Sequence, residues 1–428
     1  MSKEFTPIGE LGKKVGEKVD LRGWIHRTRS GKDMTFIVLR DSTGTVQCVI
    51  KEGAKGFPDA QAALRESSLT LVGTVHKDPR APTGVEVRVS ELKIVGPAEA
   101  YPLKEGTNPE VLLDKRHLTI RSRKITMTLQ VRSAILGAIH EFFRQRGFYE
   151  VQSPSITKMA CEGGSTLFKV DYFGEEAYLS QSWQLHAEAG VHALEKLYCV
   201  APAFRAEKSR TRQHLAEYWT AEAEMAWCTH EESLRLQEEM ITHVVQTVLK
   251  KHKKELEELG ADIKKLEKVK APFRRVSYRE VLDMLKKDGI RMEWGDDLTG
   301  TQEKALSKHF QKPFFITDWP KEAKAFYMLE NPKDPKTVLC ADLEAPDGFG
   351  ELIGGSARET DVKKLLANLK REKADPKPYE WYLEVRKFGS VPHCGFGLGI
   401  ERLTMWICNL DHIRDAIEFP RTINRVYP

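Results

Sequence analysis

No run of 18 apolar residues occurs in this 428-residue chain, which excludes a hydrophobic membrane-spanning helix. The opening Met1-Ser2-Lys3-Glu4 lacks the apolar stretch of a secretory signal, so a cytoplasmic protein with no membrane partner is expected. Pairing of cysteines is equally scarce. The seven, at Cys48, Cys161, Cys199, Cys228, Cys340, Cys394 and Cys408, are odd in number and never spaced as CxxC. Reduced thiols are therefore expected, and a zinc site is not. Charge of one sign is also in short supply. The net charge of +5 does not by itself argue for nucleic-acid binding, although local basic patches could serve it. Internal repeats and low-complexity segments are absent. What remains is 41% hydrophobic and 30% charged, a composition that supports sizeable cores in about two domains.

Residues 17–98 read as short strands. Thr35 to Leu39 and Val46 to Ile50 flank the turn Asp41-Ser42-Thr43-Gly44, and Leu69 to Val75 and Val85 to Val89 follow. With the segment leading to Trp24-Ile25 these make five strands, which suits a small closed barrel of the OB-fold type. Pro97 and Pro102 then mark a linker. In 131–147, Val131, Ala134, Ile135, Ala138, Ile139, Phe142 and Phe143 share one helical face, and Gly147 is a natural stop. A strand at 148–151, long strands at 196–205 and 215–227, a helix at 229–258 and a helix after Gly399 complete an α+β pattern rather than regular βαβ alternation. The lysines ending the 229–258 helix read as a solvated face.

Two segments carry candidate chemistry. Phe204-Arg205-Ala206-Glu207 ends an apolar strand, and Gly395-Phe396-Gly397-Leu398-Gly399-Ile400-Glu401-Arg402 sits at a strand-to-helix junction. Binding a triphosphate calls for fixed positive charge with fork geometry, which arginine supplies. Glycines let a backbone approach a base or a phosphate. Each segment alone is weak, since an arginine after a strand is more often a surface ion pair and a GxGxG run more often a tight turn.

Together and in order, they resemble the class II aminoacyl-tRNA synthetases of the aspartate, asparagine and lysine subgroup. Motif one resembles the 131–147 helix with the strand up to Pro154, about 131–156. Motif two is similar to Phe204 to Glu207 with His214 to Tyr218, within 196–227, and motif three to Gly397 to Arg402, within 395–421. The resemblance implies an OB-fold anticodon-binding domain at 1–100 and a hinge at 101–130. It implies an antiparallel-sheet catalytic domain with flanking helices at 131–428, and a homodimer built through motif one. It also implies ATP and Mg²⁺ as cofactors. Arg205 is expected on the α-phosphate and Arg402 at the far end of the triphosphate. Tyr218 is expected on adenine, with Glu207 and His214 steadying base and phosphates. Glu351 is the expected metal ligand. The second is Asp342, which matches the family's Asp-Leu dipeptide, or Glu344.

For the amino acid, the resemblance assigns Glu162, Gln184, Glu188, Glu222 and Arg358. Aspartate-specific members carry lysine where Ala187 stands, and asparagine-specific members carry glutamate where Glu188 stands. A carboxylate there, with no neighbouring ammonium, would accept from a carboxamide and repel an acid. The expected substrates are therefore L-asparagine and tRNA(Asn), with wording similar to the eukaryotic-cytosolic and archaeal branch. Gln213 and Cys394 depart from that branch, which usually has arginine and a small residue there. On the barrel, Phe36 and Gln47 match the pair that reads the middle anticodon base, with Arg29 adding charge nearby. Alternation along 35–39 leaves Phe36 as a stacking platform or as core. An aspartate enzyme, an asparagine synthetase and a catalytically silent RNA-binding paralogue are the rival readings. Ala187 and Glu188 oppose the first, the barrel opposes the second, and the presence of Arg205, Glu351 and Arg402 opposes the third.

Overall fold

Strict alternation closes the N-terminal barrel. In the computed structural model, which describes residues 4–81, 83–104, 106–161, 166–209 and 211–428, five strands form it. They are β1 (Lys18–Ser30), β2 (Met34–Arg40), β3 (Thr45–Lys55), β4 (Ser68–Lys77) and β5 (Val85–Gly96), joined in the order β1-β2-β3-β5-β4. Leu21, Ile25, Ile37, Leu39, Cys48, Ile50, Leu71, Val75 and Val87 point inward and are buried. Their strand neighbours point out, so Trp24 and Phe36 lie on the outer face at 45% and 36% exposure. That settles what alternation left open: Phe36 is not barrel core.

The chain divides into two compact units, Met1–Leu113 and Asp114–Pro428. The stretch 101–130, expected as a hinge, contains the helices Pro109–Asp114 and Arg116–Thr119. Arg116 is buried there, donating to the carbonyls of Glu418 at 2.7 Å and Ile417 at 2.8 Å.

In the second unit, β6 (Tyr149–Glu150) is followed by β7 (Ile156–Thr157), β8 (Lys169–Tyr172) and β9 (Glu175–Leu179), the last three forming their own small sheet. Then come β10 (Lys196–Phe204), β11 (Glu217–Ala226), β12 (Arg274–Ser277), β13 (Phe314–Thr317), β14 (Cys340–Ala345), β15 (Gly350–Ala357) and β16 (His393–Gly399). These seven and β6 make one sheet in the order β12-β13-β14-β15-β16-β11-β10-β6. Its central pairs are all antiparallel, and only β12 with β13 and β10 with β6 run parallel.

The helices Arg123–Gln145 and His230–Leu259 pack against that sheet. The second starts at a capping box, in which Thr229 and Glu232 satisfy each other's backbone N–H groups, and stops at Gly260 in the left-handed region. The first begins eight residues before the expected Val131. Buried Thr128 and Arg132 interrupt its apolar stripe, so periodicity reads only the C-terminal part. Arg132 is held there by Glu401 of the Ile400–Ile407 helix, at 2.5 Å. Phe143 anchors the core: it is 0% exposed, and its ring stacks 4.8 Å from that of Tyr198. Phe143→Ala is expected to cost about 3–5 kcal/mol. Urea unfolding followed by near-UV circular dichroism checks this, and an unshifted midpoint would mean that the ring is not structural.

Candidate active site

The site follows from the period-two rule on β11. Ala221, Ala223 and Met225 face the helices. Their neighbours Tyr218, Thr220, Glu222 and Glu224 face the other way and line a cavity of about 1020 Å³. Glu351, Gly354 and Gly355 of β15 and Phe396, Gly397 and Gly399 of β16 continue its floor, and Arg205, Arg358 and Arg402 reach into it.

At one end sits a buried charge cluster. Arg358 donates from Nε and Nη2 to the two oxygens of Glu224, each at 2.9 Å, and from Nη1 to Ser356 Oγ at 2.8 Å. Both charged side chains are at most 4% exposed. Burial pushes the Glu224 carboxyl up, and the Arg358 fork works against it. Gly395 makes room for the pair, since a Cβ there would stand 1.8 Å from Glu224 Oε2 and 2.5 Å from Arg358 Nη2. Part of the GxGxG run therefore accommodates a protein salt bridge rather than a nucleotide. Glu222 is fixed by Ser182 Oγ at 2.5 Å, Thr220 Oγ1 at 2.8 Å and the Trp183 N–H at 3.3 Å.

Glu188 requires a correction. It is 0% exposed and is not among the cavity-lining residues; Gln184, one helical turn earlier, lines the wall instead. Gln184 Nε2 donates to Glu188 Oε1 at 2.9 Å. The other carboxylate oxygen takes Tyr382 Oη at 2.8 Å, His393 Nε2 at 3.1 Å and the Arg386 guanidinium. No lysine stands at position 187, but Glu188 still has a cation beside it. The cation comes from Arg386, 198 residues away, where local sequence cannot show it. Burial works to raise the Glu188 carboxyl, but Arg386, His393 and Arg358 outweigh it and hold it well below the usual carboxylate range. Glu162 lies outside the described residues.

At the other end are the expected nucleotide contacts. Arg205 Nη1 stands 3.6 Å from Glu207 Oε1, and its guanidinium carbon lies 5.9 Å from the Tyr218 ring centroid. His214 is held by Thr211 Oγ1 and, at 3.2 Å, by Ser209 Oγ, with Nε2 3.7 Å from Glu207. Burial, then the Arg402 charge, lowers its pKa. Arg402 Nη1 donates to the Glu351 carbonyl at 3.0 Å. Gln213, which departs from the branch pattern, donates to the Gly348 carbonyl at 3.2 Å.

Beside these contacts, carboxylates crowd together. A Cβ at Gly354 would stand 2.8 Å from Glu351 Oε1 and 3.7 Å from Asp342 Oδ1, so both oxygens reach the same place. The other Asp342 oxygen accepts from Lys324 Nζ at 2.6 Å, a buried ammonium the sequence reading missed. Burial pushes Asp342 up to about 7, with Lys324 opposing and Glu351 reinforcing. Glu344, directly opposite Glu351 in the sheet, is pushed well up by burial and by Glu303, Glu351 and Asp342. It is not among the cavity-lining residues, whereas Asp342 is. A pair of hard oxygens under like-charge stress fits a magnesium ion, which usually takes one or two carboxylates and completes its shell with phosphate and water oxygens. Among the described residues no three donors converge to hold a metal alone.

On the barrel, Phe36 stands opposite Arg29 on the outer face, and Gln47 lies opposite Val38 with its amide 3.5 Å from Glu86. All seven cysteines are free thiols.

A class II synthetase is the kind of protein that this sheet and cavity define, and the comparisons agree. The chain belongs to the tRNA synthetases class II (D, K and N), which match residues 108–423, and residues 19–95 match the OB-fold nucleic acid binding domain. The asparagine–tRNA ligase of Thermococcus gammatolerans is 46% identical over 96% of both chains, and that of Desulforamulus reducens is 46% identical over 99% of both. The crystal structure of asparaginyl-tRNA synthetase from Pyrococcus horikoshii, complexed with asparaginyl-adenylate, superposes with a TM-score of 0.96 at 45% identity. It covers 99% of this chain and 100% of that one. A putative aspartyl-tRNA synthetase from Leishmania major shares the fold with a TM-score of 0.88 at 24% identity.

Because the folded-state pKa of Glu188 is depressed, its contribution to stability is present above the ordinary carboxylate range and is lost as pH falls through the folded value. Glu188→Gln leaves Arg386 buried and unpaired, at an expected cost of about 3–5 kcal/mol near neutrality. Thermal melting from about pH 3 to pH 8 should show the gap between variant and wild type narrowing in acid. A gap independent of pH would mean that Glu188 is not ionised in the fold.

Proposed function

We propose that this chain ligates L-asparagine to tRNA(Asn) with ATP, through an asparaginyl-adenylate. The Glu224 and Arg358 pair on the cavity wall carries the reading. A substrate carboxamide laid against it would accept from the Arg358 guanidinium through its oxygen and donate through its NH₂ to Glu224. An aspartate side chain would bring a second carboxylate against Glu224. At 4 Å and an effective dielectric of 20 that repulsion is about 4 kcal/mol, about a thousandfold in discrimination. Glu188 acts one layer behind, holding Gln184 and the Arg386 corner in place. Glu222 and Gln184 take the α-ammonium and the amino-acid backbone.

The chemistry then needs placement and fixed charge rather than a covalent enzyme intermediate. The asparagine carboxylate attacks the α-phosphorus, and the bond to pyrophosphate breaks. Arg205 stabilises the charge that accumulates on the phosphoryl oxygens. Tyr218 supports the adenine, with Glu207 and His214 beside it, and Arg402 binds the far phosphates. Glu351 and Asp342 would hold Mg²⁺, which screens the phosphate charge when bound. In the second step the terminal 3′-hydroxyl of tRNA attacks the acyl carbon and AMP leaves. Phe36, Gln47 and Arg29 contact the anticodon. Residues 1–100 form the anticodon-binding domain, 101–130 the hinge and 131–428 the catalytic domain. The protein works in the cytoplasm as a homodimer through motif one, within which Tyr149 and Ile156 are exposed apolar side chains. No helix among the described residues is long and apolar enough to cross a membrane.

Pyrophosphate exchange with asparagine and with aspartate tests the substrate. Asparagine should win by about a thousandfold in kcat/KM, and Glu224→Gln should shrink the ratio to about tenfold or less. Equal use of both acids by the wild type would sink the substrate assignment. Arg205→Ala should lower adenylate formation by at least about a hundredfold while tRNA binding stays measurable. Near-normal exchange by that variant would remove Arg205 from the phosphate site.

A further inference from the structure

Two cysteines that the proposed chemistry leaves idle meet on the back of the amino-acid wall. β11 pairs with β16 so that Met225 stands opposite Cys394 and Ala226 opposite His393. Continued register would set Cys228 opposite Val391, beyond the start of β16. The chain instead turns at Trp227, which takes the left-handed region at φ 56°. The turn brings the Cys228 carbonyl to Cys394 Sγ, which donates to it at 3.0 Å across 166 residues of sequence. The side chains meet as well: a hydrogen bond to the Cys228 side chain, and then burial, pushes the Cys394 thiol up. Cys394 is fully buried, while Cys228 is half-buried, within reach of a small solute.

The strand that carries Cys394 makes the pair consequential. Cys394 lies between His393, which reaches Glu188 at 3.1 Å, and Gly395, whose missing Cβ leaves room for Glu224 and Arg358. Side chains alternate along β16, so the thiol packs among the helices and the adjacent positions face the wall. Glu224 and Arg358 act electrostatically on Cys394 in opposite directions, as groups one strand away should. A covalent bond draws two sulfurs closer than contact does. Closure here would pull β16 toward the Trp227 turn and shift a wall whose hydrogen bonds tolerate little displacement.

We propose that Cys228 and Cys394 form a redox-active dithiol, which a peroxide closes to a disulfide and which in closing weakens the hold on asparagine. Hydrogen peroxide transfers an oxygen to the Cys228 sulfur, giving a sulfenic acid and one water. The Cys394 sulfur then attacks the Cys228 sulfur. The S–O bond breaks, and hydroxide leaves with the Cys394 proton as a second water. Two thiols thus give two electrons and two protons to one peroxide, and a thiol reductant reverses the step.

The effect on asparagine rests on the proposed function, and the experiment separates the two. Full-length wild type, Cys228→Ser and Cys394→Ala are treated with hydrogen peroxide and then with dithiothreitol. Non-reducing peptide mapping should find Cys228 joined to Cys394 in wild type, and titratable thiols should fall by two from seven. In pyrophosphate exchange, oxidised wild type should lose about tenfold in kcat/KM for asparagine while KM for ATP holds, and dithiothreitol should restore it. Both variants should exchange like reduced wild type and keep that activity through peroxide.

Absence of a crosslink between the two cysteines would overturn the proposal. A crosslink with unchanged asparagine kinetics would keep the dithiol and overturn its reach to the wall. Equal losses in the variants would place the damage at another thiol, such as Cys161 in the cavity lining, and overturn that reach too. Reduced wild type that exchanges nothing with asparagine would sink the proposed function instead, and the crosslink map would still decide the dithiol.

Discussion

Four charged side chains share one wall of the catalytic unit with almost no water. Glu188, Glu224, Arg358 and Arg386 are each at most 4% exposed. Isolated burial of any one would cost several kcal/mol, so the wall is stable only when every charge meets its partner in good geometry. That requirement ties distant parts of the chain together. Glu224 comes from β11, Arg358 from just past β15, Glu188 from the Gln184–Leu194 helix, Arg386 from just past the Glu380–Val385 helix and His393 from the start of β16. Each must arrive in register for the others to be satisfied. The result is a preorganised polar surface of the kind that discriminates by leaving the wrong ligand unpaired.

The opposite end of the cavity follows a different electrostatic logic. There the acids outnumber their local cation. Lys324 takes one Asp342 oxygen, and burial, reinforced by the neighbouring acids, displaces the Asp342 and Glu344 carboxyls upward from their ordinary range. Arg205 and Arg402 reach into the same cavity. Like charges directly across a sheet, as at Glu344 and Glu351, destabilise a fold that gains nothing from them. The Glu224 end is thus neutralised from within, whereas around Asp342 the carboxylates outnumber the single ammonium of Lys324.

These two designs were unequally legible in the sequence. The barrel was readable because alternation is local, and the two central helices because their apolar faces repeat every turn. Arg205, Arg402, Glu351 and Tyr218 were readable through short motifs, and the structure gathers them around one cavity. Glu224 was within reach, since Thr220, Glu222 and Glu224 form a polar row at every second position of an apolar strand. Arg386 and Lys324 left no local signal at all. A partner 198 residues away can be found only once the chain is folded, which is why the Arg386 contact of Glu188 was not legible.

The barrel shows why an RNA-reading surface can coexist with so tight a core. Closure leaves no unpaired strand edges, so the outer face of β1 and β2 is free to display large side chains without inviting further strands. Exposed rings such as Trp24 and Phe36 forgo burial energy in the protein alone, a sacrifice of order 1 kcal/mol or more each. On the proposed function, stacking of Phe36 on an unpaired base would recover that energy when RNA is bound. The barrel can therefore carry large exposed rings, whereas the wall of the catalytic unit holds charges that cannot be left unpaired.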